Sequence, residues 1–257
     1  MRRDSSPAKR SRWTVDSFAP ETIALAAVVA AFAGVIRGIT GFGGAMVMSP
    51  PLALILGPLV TVPAVLLLEG VAAAPMLSET RRFVRWRVIG PILAMAMVTV
   101  PIGTYILVRA DPPTMRRVIA AVVIVFSLLL LGGWRYAGAQ RLGTSIGLGA
   151  LSGGMVGATS MGGPPVVLYL LAGSDPIEVT RANLTFFVAG ISLAGVLALW
   201  MNGVIDAGVL RLALVLAPGY YTGMVAGSRL FARFNDRRFR QLTLFLMIAV
   251  SAGILVA

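Results

Sequence analysis

Two short glycine-rich segments carry residue types whose spacing could bind a ligand. Residues 38–44 (GITGFGG) align with residues 157–163 (GATSMGG) at an offset of 119 positions, and each segment lies inside a long apolar run. Each segment combines hydroxyl side chains with glycines, which leave the backbone open to close approach. Hydroxyls and backbone N–H groups donate hydrogen bonds to anions, so the two segments predict two halves of one anion-binding site.

Two prolines predict a helix start directly after the second segment. Pro164 and Pro165 follow Gly163, and proline is favoured in the first helical turn because its missing N–H costs nothing there. We expect a half-helix whose first N–H groups, at Val166 and Val167, point back toward the break. A helix N-terminus carries partial positive charge and attracts anions. The predicted substrate-binding residues of the two segments are Thr40, Gly41, Gly43, Gly44, Thr159, Ser160, Gly162, Gly163 and Pro164.

Charged side chains within apolar runs are the second set of candidates. Arg37 lies just before the first segment, and Glu69 lies at the middle of the run 60–78. Ionisable groups at such depth are costly and usually face a cavity or a partner. Arg37 could bind the anion through its planar fork of donors, and Glu69 could pair with it or take up a coupling proton. The alternative is a buried Arg–Glu pair that only holds two helices together. Asn183 is a further candidate for the site.

Glycines spaced four residues apart favour a different interpretation. Such spacing is typical of close helix packing through small residues. We expect packing, rather than ligand binding, for Gly34 and Gly38, for Gly149, Gly153 and Gly157, and for Gly219, Gly223 and Gly227. We also expect Tyr220 and Tyr221 to pack with their hydroxyls bonded to backbone.

The composition excludes several kinds of chemistry and sets the class of protein. The 257 residues include no cysteine and no histidine, which excludes disulfides, Cys or His zinc ligands, Cys nucleophiles and Ser-His-Asp triads. Hydrophobic residues make up 58% and charged residues 12%, about half the charged fraction of an ordinary soluble domain. We therefore expect an integral membrane protein. The net charge of +12 comes from arginines clustered at the ends of apolar runs, which indicates lipid headgroups and no nucleic acid.

Eight apolar runs set the expected fold. They lie near 22–57, 60–78, 88–108, 117–134, 143–173, 182–202, 208–231 and 239–257. A span takes about 20 helical residues, so the runs 22–57 and 143–173 are too long and must break or fold back. We predict an all-α polytopic membrane protein with about eight transmembrane helices in two repeats of four, the first helix of each repeat being broken or re-entrant. The repeats cover 22–134 and 143–257 in one membrane domain, after a basic tail at 1–21.

The distribution of Lys and Arg predicts a cytoplasmic N-terminus if all eight runs cross the membrane. The side of the membrane with more Lys and Arg then holds the tail, 79–87, 135–141 and Arg211. The side with fewer holds 109–117, Arg181 and 229–240. A fold-back within either long run would change this count.

Both glycine segments resemble a known family. Residues 34–52 (GVIRGITGFGGAMVMSPPL) and 153–171 (GGMVGATSMGGPPVVLYLL) are similar to the two repeat signatures of the sulfite exporter TauE/SafE family, also called the toluene-sulfonate uptake permease family. Ser160 and Met161 stand where the first repeat has Gly41 and Phe42. The residues that match the motif are Gly38, Thr40, Gly41, Phe42, Gly43, Gly44, Pro50, Gly157, Gly162, Gly163, Pro164 and Pro165. The resemblance implies an inner-membrane transporter of small anions, often organosulfur or related oxyanions.

The function predicted from these features is a permease that moves a small anion, such as sulfite, a sulfonate or a related organic anion, across the bacterial inner membrane by alternating access. An anion channel and a membrane-embedded structural or assembly subunit are the alternatives. A membrane enzyme would need catalytic groups that the sequence lacks. The expected partners are the anion, the lipid bilayer and a coupling proton. No cofactor and no metal is predicted, and the sequence gives no indication of an oligomeric state.

Overall fold

A computed structural model describes residues 18–40, 43–133, 136, 141–171, 175–231, 245, 248 and 251–254. In this part of the chain all regular structure is helical. Its nine α-helices are α1 (Pro20–Thr40), α2 (Gly44–Leu56), α3 (Pro58–Thr80), α4 (Trp86–Arg109), α5 (Pro112–Leu131), α6 (Leu142–Thr159), α7 (Gly163–Leu170), α8 (Ile177–Met201) and α9 (Ala207–Phe231). A short 3₁₀ turn at Arg81–Phe83 leads from α3 to α4, and residues 251–254 are also helical.

Six of these helices, α1, α3, α4, α5, α8 and α9, are long and apolar enough to cross a bilayer. The chain is therefore an all-α multi-pass membrane protein, as its composition predicts. The described residues do not show eight straight spans, because the runs 22–57 and 143–173 each form two helices. The last expected run, 239–257, lies mostly outside the described residues.

Both overlong runs are interrupted at the predicted glycine segments. α1 ends at Thr40 and α2 begins at Gly44, while α6 ends at Thr159 and α7 begins at Gly163. The two interruptions keep the offset of 119 residues seen in the sequence. Pro164 and Pro165 occupy the first turn of α7, which confirms the expected half-helix start.

The second interruption folds the chain back on itself. The hydroxyl of Ser145, in the first turn of α6, lies 2.9 Å from the hydroxyl of Tyr169, near the end of α7. These residues are 24 positions apart, so a straight helix would separate them by about 36 Å. α6 and α7 therefore form a re-entrant hairpin, and the chain leaves it at the end of the bundle where it entered.

The first interruption also folds back. Phe18, just before α1, lines a cavity of about 280 Å³ together with Leu56, Gly57 and Pro58 of the α2–α3 turn. Residues of the α4–α5 turn line the same cavity. We call this the first end of the bundle. α1 starts there and α2 returns there, so the re-entrant alternative for the first helix is the one that the structure shows.

The second end carries the starts of α4 and α8. The Arg85 side chain, just before α4, pairs with Asp175, just before α8, and the Arg85 backbone N–H donates to Asn183 Oδ1 at 2.9 Å. α3 thus runs from the first end to the second, and α8 runs back. Gly70 of α3 faces Ser192 of α8, and Gly195 of α8 faces Leu66 of α3, so these two helices cross the centre of the bundle antiparallel.

The glycines spaced four residues apart, which we call the glycine stripes, bring the backbone of α6 into contact with that of α4, and the backbone of α1 into contact with that of α9. A Cβ added at Gly149, Gly153 or Gly157 would overlap a carbonyl oxygen of α4. The same holds for Gly34 and Gly38 against α9, and for Gly223 and Gly227 against α1. The packing interpretation is therefore confirmed for these glycines, while a Cβ at Gly219 would come no closer than 3.3 Å to α1, at the Ala27 carbonyl oxygen. In both pairs the residue numbers of the contacting positions increase in the same direction along the two helices, so the paired helices are parallel.

Gly153 and its neighbour Gly154 provide a test of this packing. A Cβ at Gly153 would overlap the Ala96 carbonyl oxygen, whereas a Cβ at Gly154 would meet no atom within 4 Å. We expect Gly153→Ala to lower the free energy of unfolding by about 1–3 kcal/mol, because α4 and α6 must move apart. Gly154→Ala should be neutral or slightly stabilising, because alanine favours helix over glycine. Thermal unfolding in detergent measures both variants, and equal effects would contradict the close contact.

The two hairpins can be tested by thiol labelling, because the chain contains no cysteine. We expect Ala19→Cys and Pro113→Cys to react with an impermeant maleimide from one side of sealed vesicles. Gly143→Cys and Glu178→Cys should react from the other side. All four positions are exposed. Straight crossings through both long runs would instead place Ala19 opposite Pro113, and Gly143 opposite Glu178.

Candidate functional site

A buried ion pair lies beside the first interruption. The Nε atom of Arg37, in the last turn of α1, is 3.3 Å from Oε2 of Glu69, and their side chains are only 5% and 6% exposed. Glu69 lies at the middle of α3, a helix that is largely enclosed by others. The sequence placed both residues in apolar runs, and the structure brings them together. A charge this deep needs a partner, because breaking a buried pair leaves an uncompensated ion.

A tyrosine from α9 completes the cluster. The hydroxyl of Tyr220 donates to Oε1 of Glu69 at 2.8 Å, and Tyr220 is fully buried. The expected backbone partner is therefore wrong for Tyr220, although it is right for Tyr221, whose hydroxyl donates to the Leu68 carbonyl at 3.2 Å. The sequence signal for Tyr220 was its position next to the glycine stripe of α9, which fixes that helix against α1.

Helix α2 begins against this cluster. A Cβ added at Gly44 would overlap Glu69 Oε1 and would lie 2.6 Å from the Tyr220 hydroxyl and 3.3 Å from Arg37 Cβ. A side chain at position 44 would displace the Glu69 carboxylate or the Tyr220 hydroxyl. Because a helix N-terminus carries partial positive charge, α2 and Arg37 together surround the carboxylate with positive potential.

The residues of the first glycine segment form the turn before α2. Gly43 has φ 92°, a left-handed conformation that favours glycine. Thr40 is the last residue of α1, and Gly41 and Phe42 lie outside the described residues.

The second interruption is polar but uncharged. Ser160 has φ 63°, a left-handed conformation that few residues other than glycine adopt. Its hydroxyl lies 2.7 Å from the hydroxyl of Ser49, on α2, and it also contacts the Thr159 carbonyl. The two hairpins therefore meet through a pair of serines. Sequence reasoning missed Ser49, which is a lone hydroxyl in an apolar stretch.

The remaining residues of the second segment have different roles. The Thr159 hydroxyl donates to the Met155 carbonyl at 2.7 Å, within its own helix. Gly162 packs closely, since an added Cβ would overlap Val156. Gly163 faces open space, since an added Cβ would meet no atom within 4 Å. Pro164 is buried in the first turn of α7.

Asn183 lies apart from the charged cluster. It is fully buried on α8, and its Oδ1 accepts the Arg85 backbone N–H near the second end of the bundle. Within the part of the chain that the structure describes, its Nδ2 has no hydrogen-bond partner. The structure thus connects Asn183 to the start of α4 rather than to Arg37.

The cluster brings opposite charges together. Arg37 and the N-terminus of α2 attract negative charge, and the carboxylate of Glu69 lies against both. Across the described ranges, no group of three or more His, Cys, Asp or Glu side chains is placed to hold a metal ion.

Comparison with known proteins identifies the family of the chain. The sequence model described as "Sulfite exporter TauE/SafE" matches residues 26–254, which include both interruptions and the buried cluster. Searches of curated proteins and of solved structures found no match. The match spans nearly the whole chain, and this multi-pass membrane protein belongs to the sulfite exporter TauE/SafE family of membrane transporters.

Proposed function

We propose that the protein is a permease for a small sulfur oxyanion, such as sulfite or a sulfonate, which it moves across the bacterial inner membrane by alternating access. The observation that carries the proposal is Arg37, a permanent cation buried beside an interrupted helix. Non-helical backbone within a bilayer is tolerated where it is buried in protein or lines a polar cavity. In a transporter family, such a place is the natural substrate site.

The donor set explains why the substrate should be an anion with several oxygens. A guanidinium group presents five N–H donors in a rigid plane, which match the oxygens of carboxylate, phosphate or sulfonate groups. The start of α2 adds backbone N–H groups that have no carbonyl four residues earlier in the helix. Ser160 and Ser49 add hydroxyls where the second hairpin meets α2. The proposed site is therefore formed by Arg37 and the two interruptions.

Two inverted repeats would supply the alternating access. The helix starts at Gly44 and Pro58 recur at Gly163 and Ile177 with the same offset of 119 residues. The pairing of α1 with α9 has a counterpart in the pairing of α6 with α4. The first hairpin enters the bundle from the first end and the second hairpin enters from the second end, as expected for repeats of inverted topology. We propose that the repeats rock about the site between the hairpins.

The two hairpins also change the proposed orientation. The expected cytoplasmic N-terminus depended on eight crossings, and the fold-backs exchange the sides of several basic segments. Apart from the buried Arg37, seven arginines of the described residues lie toward the second end and four lie toward the first end. Those toward the second end are Arg81, Arg82, Arg85, Arg87, Arg141, Arg181 and Arg229, and those toward the first end are Arg109, Arg116, Arg117 and Arg211. The positive-inside rule then assigns the cytoplasm to the second end, so that α1 begins from the outer side.

The proposal predicts that removal of the buried charge pair lowers anion flux at substrate concentrations below saturation. We choose the double variant Arg37→Gln/Glu69→Gln, because a single Arg37→Gln change would leave a buried carboxylate unpaired. A hydrogen bond to a charged group contributes about 1.5–3 kcal/mol, so substrate affinity should fall about ten- to a hundredfold. Uptake of radiolabelled sulfite and methanesulfonate into proteoliposomes measures the effect.

Arg85→Gln is the matched control, because Arg85 also pairs with a carboxylate but its side chain is 56% exposed near the end of the bundle. It should retain the flux of the native protein. Native flux in a folded double variant would remove Arg37 from the substrate site. Flux that does not saturate with substrate concentration would indicate a channel, and the absence of flux in the native protein would favour a structural role.

A further inference from the structure

The Glu69 carboxylate is held as a bound anion would be held. Oε2 faces the Arg37 guanidinium, Oε1 accepts the Tyr220 hydroxyl, and the same Oε1 lies against the start of α2 at Gly44. A guanidinium group, a hydroxyl and a helix N-terminus are the groups that recognise oxyanions in proteins. The positive potential around the first interruption is thus already occupied by a side chain of the protein.

We propose that Glu69 is an internal competitor for the substrate: its carboxylate occupies the anion position, and the substrate binds when Glu69 takes up a proton and leaves Arg37. This inference rests on the proposed function, and it names the residue that couples anion binding to protons. One proton from solution binds to Glu69 as one anion binds to Arg37. For a monovalent anion the buried cluster therefore gains no net charge.

The charges in the cluster require this exchange. Among the described residues, the carboxylate that lies against Arg37 is that of Glu69. An anion that joined them while Glu69 stayed ionised would place two negative charges around one cation in a buried site, where like charges disfavour each other's ionised forms. Protonation of Glu69 removes the excess charge and leaves the guanidinium to the substrate.

In the part of the chain that the structure describes, few other groups near Glu69 could take the proton instead. α1 contributes Arg37, and α9 contributes Tyr220 and Tyr221. α2 and α6 contain no titratable side chain. The titratable side chains of α4, α5 and α8 lie within the first or last two turns of those helices, and they are Arg87, Tyr105, Arg109, Arg116, Arg117, Glu178 and Arg181.

Gly44 makes room for the exchange. Any side chain at this position would occupy the space that the carboxylate now fills. The corresponding glycine of the second interruption, Gly163, faces open space, and the residue at the Arg37 offset of 119 is Val156. The proposed exchange therefore takes place at the first hairpin alone.

Isothermal titration with methanesulfonate tests the proposal, because this anion keeps one negative charge across the range in which a carboxyl group titrates. In the native protein, the affinity for methanesulfonate should fall by up to tenfold for each unit that the pH rises, over the range in which Glu69 is ionised. Glu69→Gln keeps the shape of the side chain without the competing charge. It should bind methanesulfonate more tightly at neutral pH and without this pH dependence.

Proton counting separates exchange from a structural role of Glu69. Titrations in buffers of different ionisation enthalpy should show uptake of about one proton per anion in the native protein and none in Glu69→Gln. Tyr220→Phe removes a donor to the carboxylate, so the pH at which binding is half lost should rise. Tyr221→Phe is the matched control, because its hydroxyl bonds the Leu68 carbonyl, and it should leave the pH profile unchanged.

Each outcome decides the proposal. Binding by the native protein without proton uptake, or a Glu69→Gln variant that keeps the native pH profile, would overturn the exchange while the proposed permease function stands. Binding of methanesulfonate by neither protein at any pH would overturn both. If Glu69→Gln does not fold, the pair Tyr220→Phe and Tyr221→Phe carries the test, and identical pH profiles of these two variants would refute the exchange.

Discussion

The structure depends on the fact that lipid offers no hydrogen-bond partner to an interrupted helix. Backbone groups released at a break must be covered by protein or must line a polar cavity. The two hairpins, α1–α2 and α6–α7, each contain such a break. α9 and α4 cover them by lying against α1 and α6 at backbone contact, and only glycine permits that distance. The glycine stripes thus allow the close helix packing that covers the glycine breaks.

A buried positive charge is the second constraint on this arrangement. Arg37 sits where the first hairpin turns, and its cost is offset by Glu69 from α3 and indirectly by Tyr220 from α9. The cluster links three helices and the start of α2. The equivalent position in the second hairpin is Val156, and there the break relies on the hydroxyl of Ser160. The two hairpins therefore have similar backbone arrangements, but they differ in charge at the position of Arg37 and Val156.

Local features of the chain were predictable from the sequence, because they depend on neighbouring residues. The glycine segments marked the ends of α1 and α6 and the starts of α2 and α7, and the four-residue glycine spacing marked the packed faces. Contacts between distant parts of the chain were not predictable in this way. Tyr220 meets Glu69 across 151 positions, and Ser49 meets Ser160 across 111. No local pattern specifies such pairs, because they depend on which helices become neighbours.

Composition and local pattern predict that the chain is a helical membrane protein, that two of its apolar runs break, and that Arg37 and Glu69 lie within apolar runs. That both broken runs turn back is visible only in the contacts between helices. The reason is that glycine and proline end a helix without fixing the direction of the next one. That direction depends on long-range contacts, such as Tyr169 with Ser145. The fold-back sets the relative orientation of the two hairpins, and the packing of α1, α2, α3 and α9 places the carboxylate of Glu69 at the start of α2.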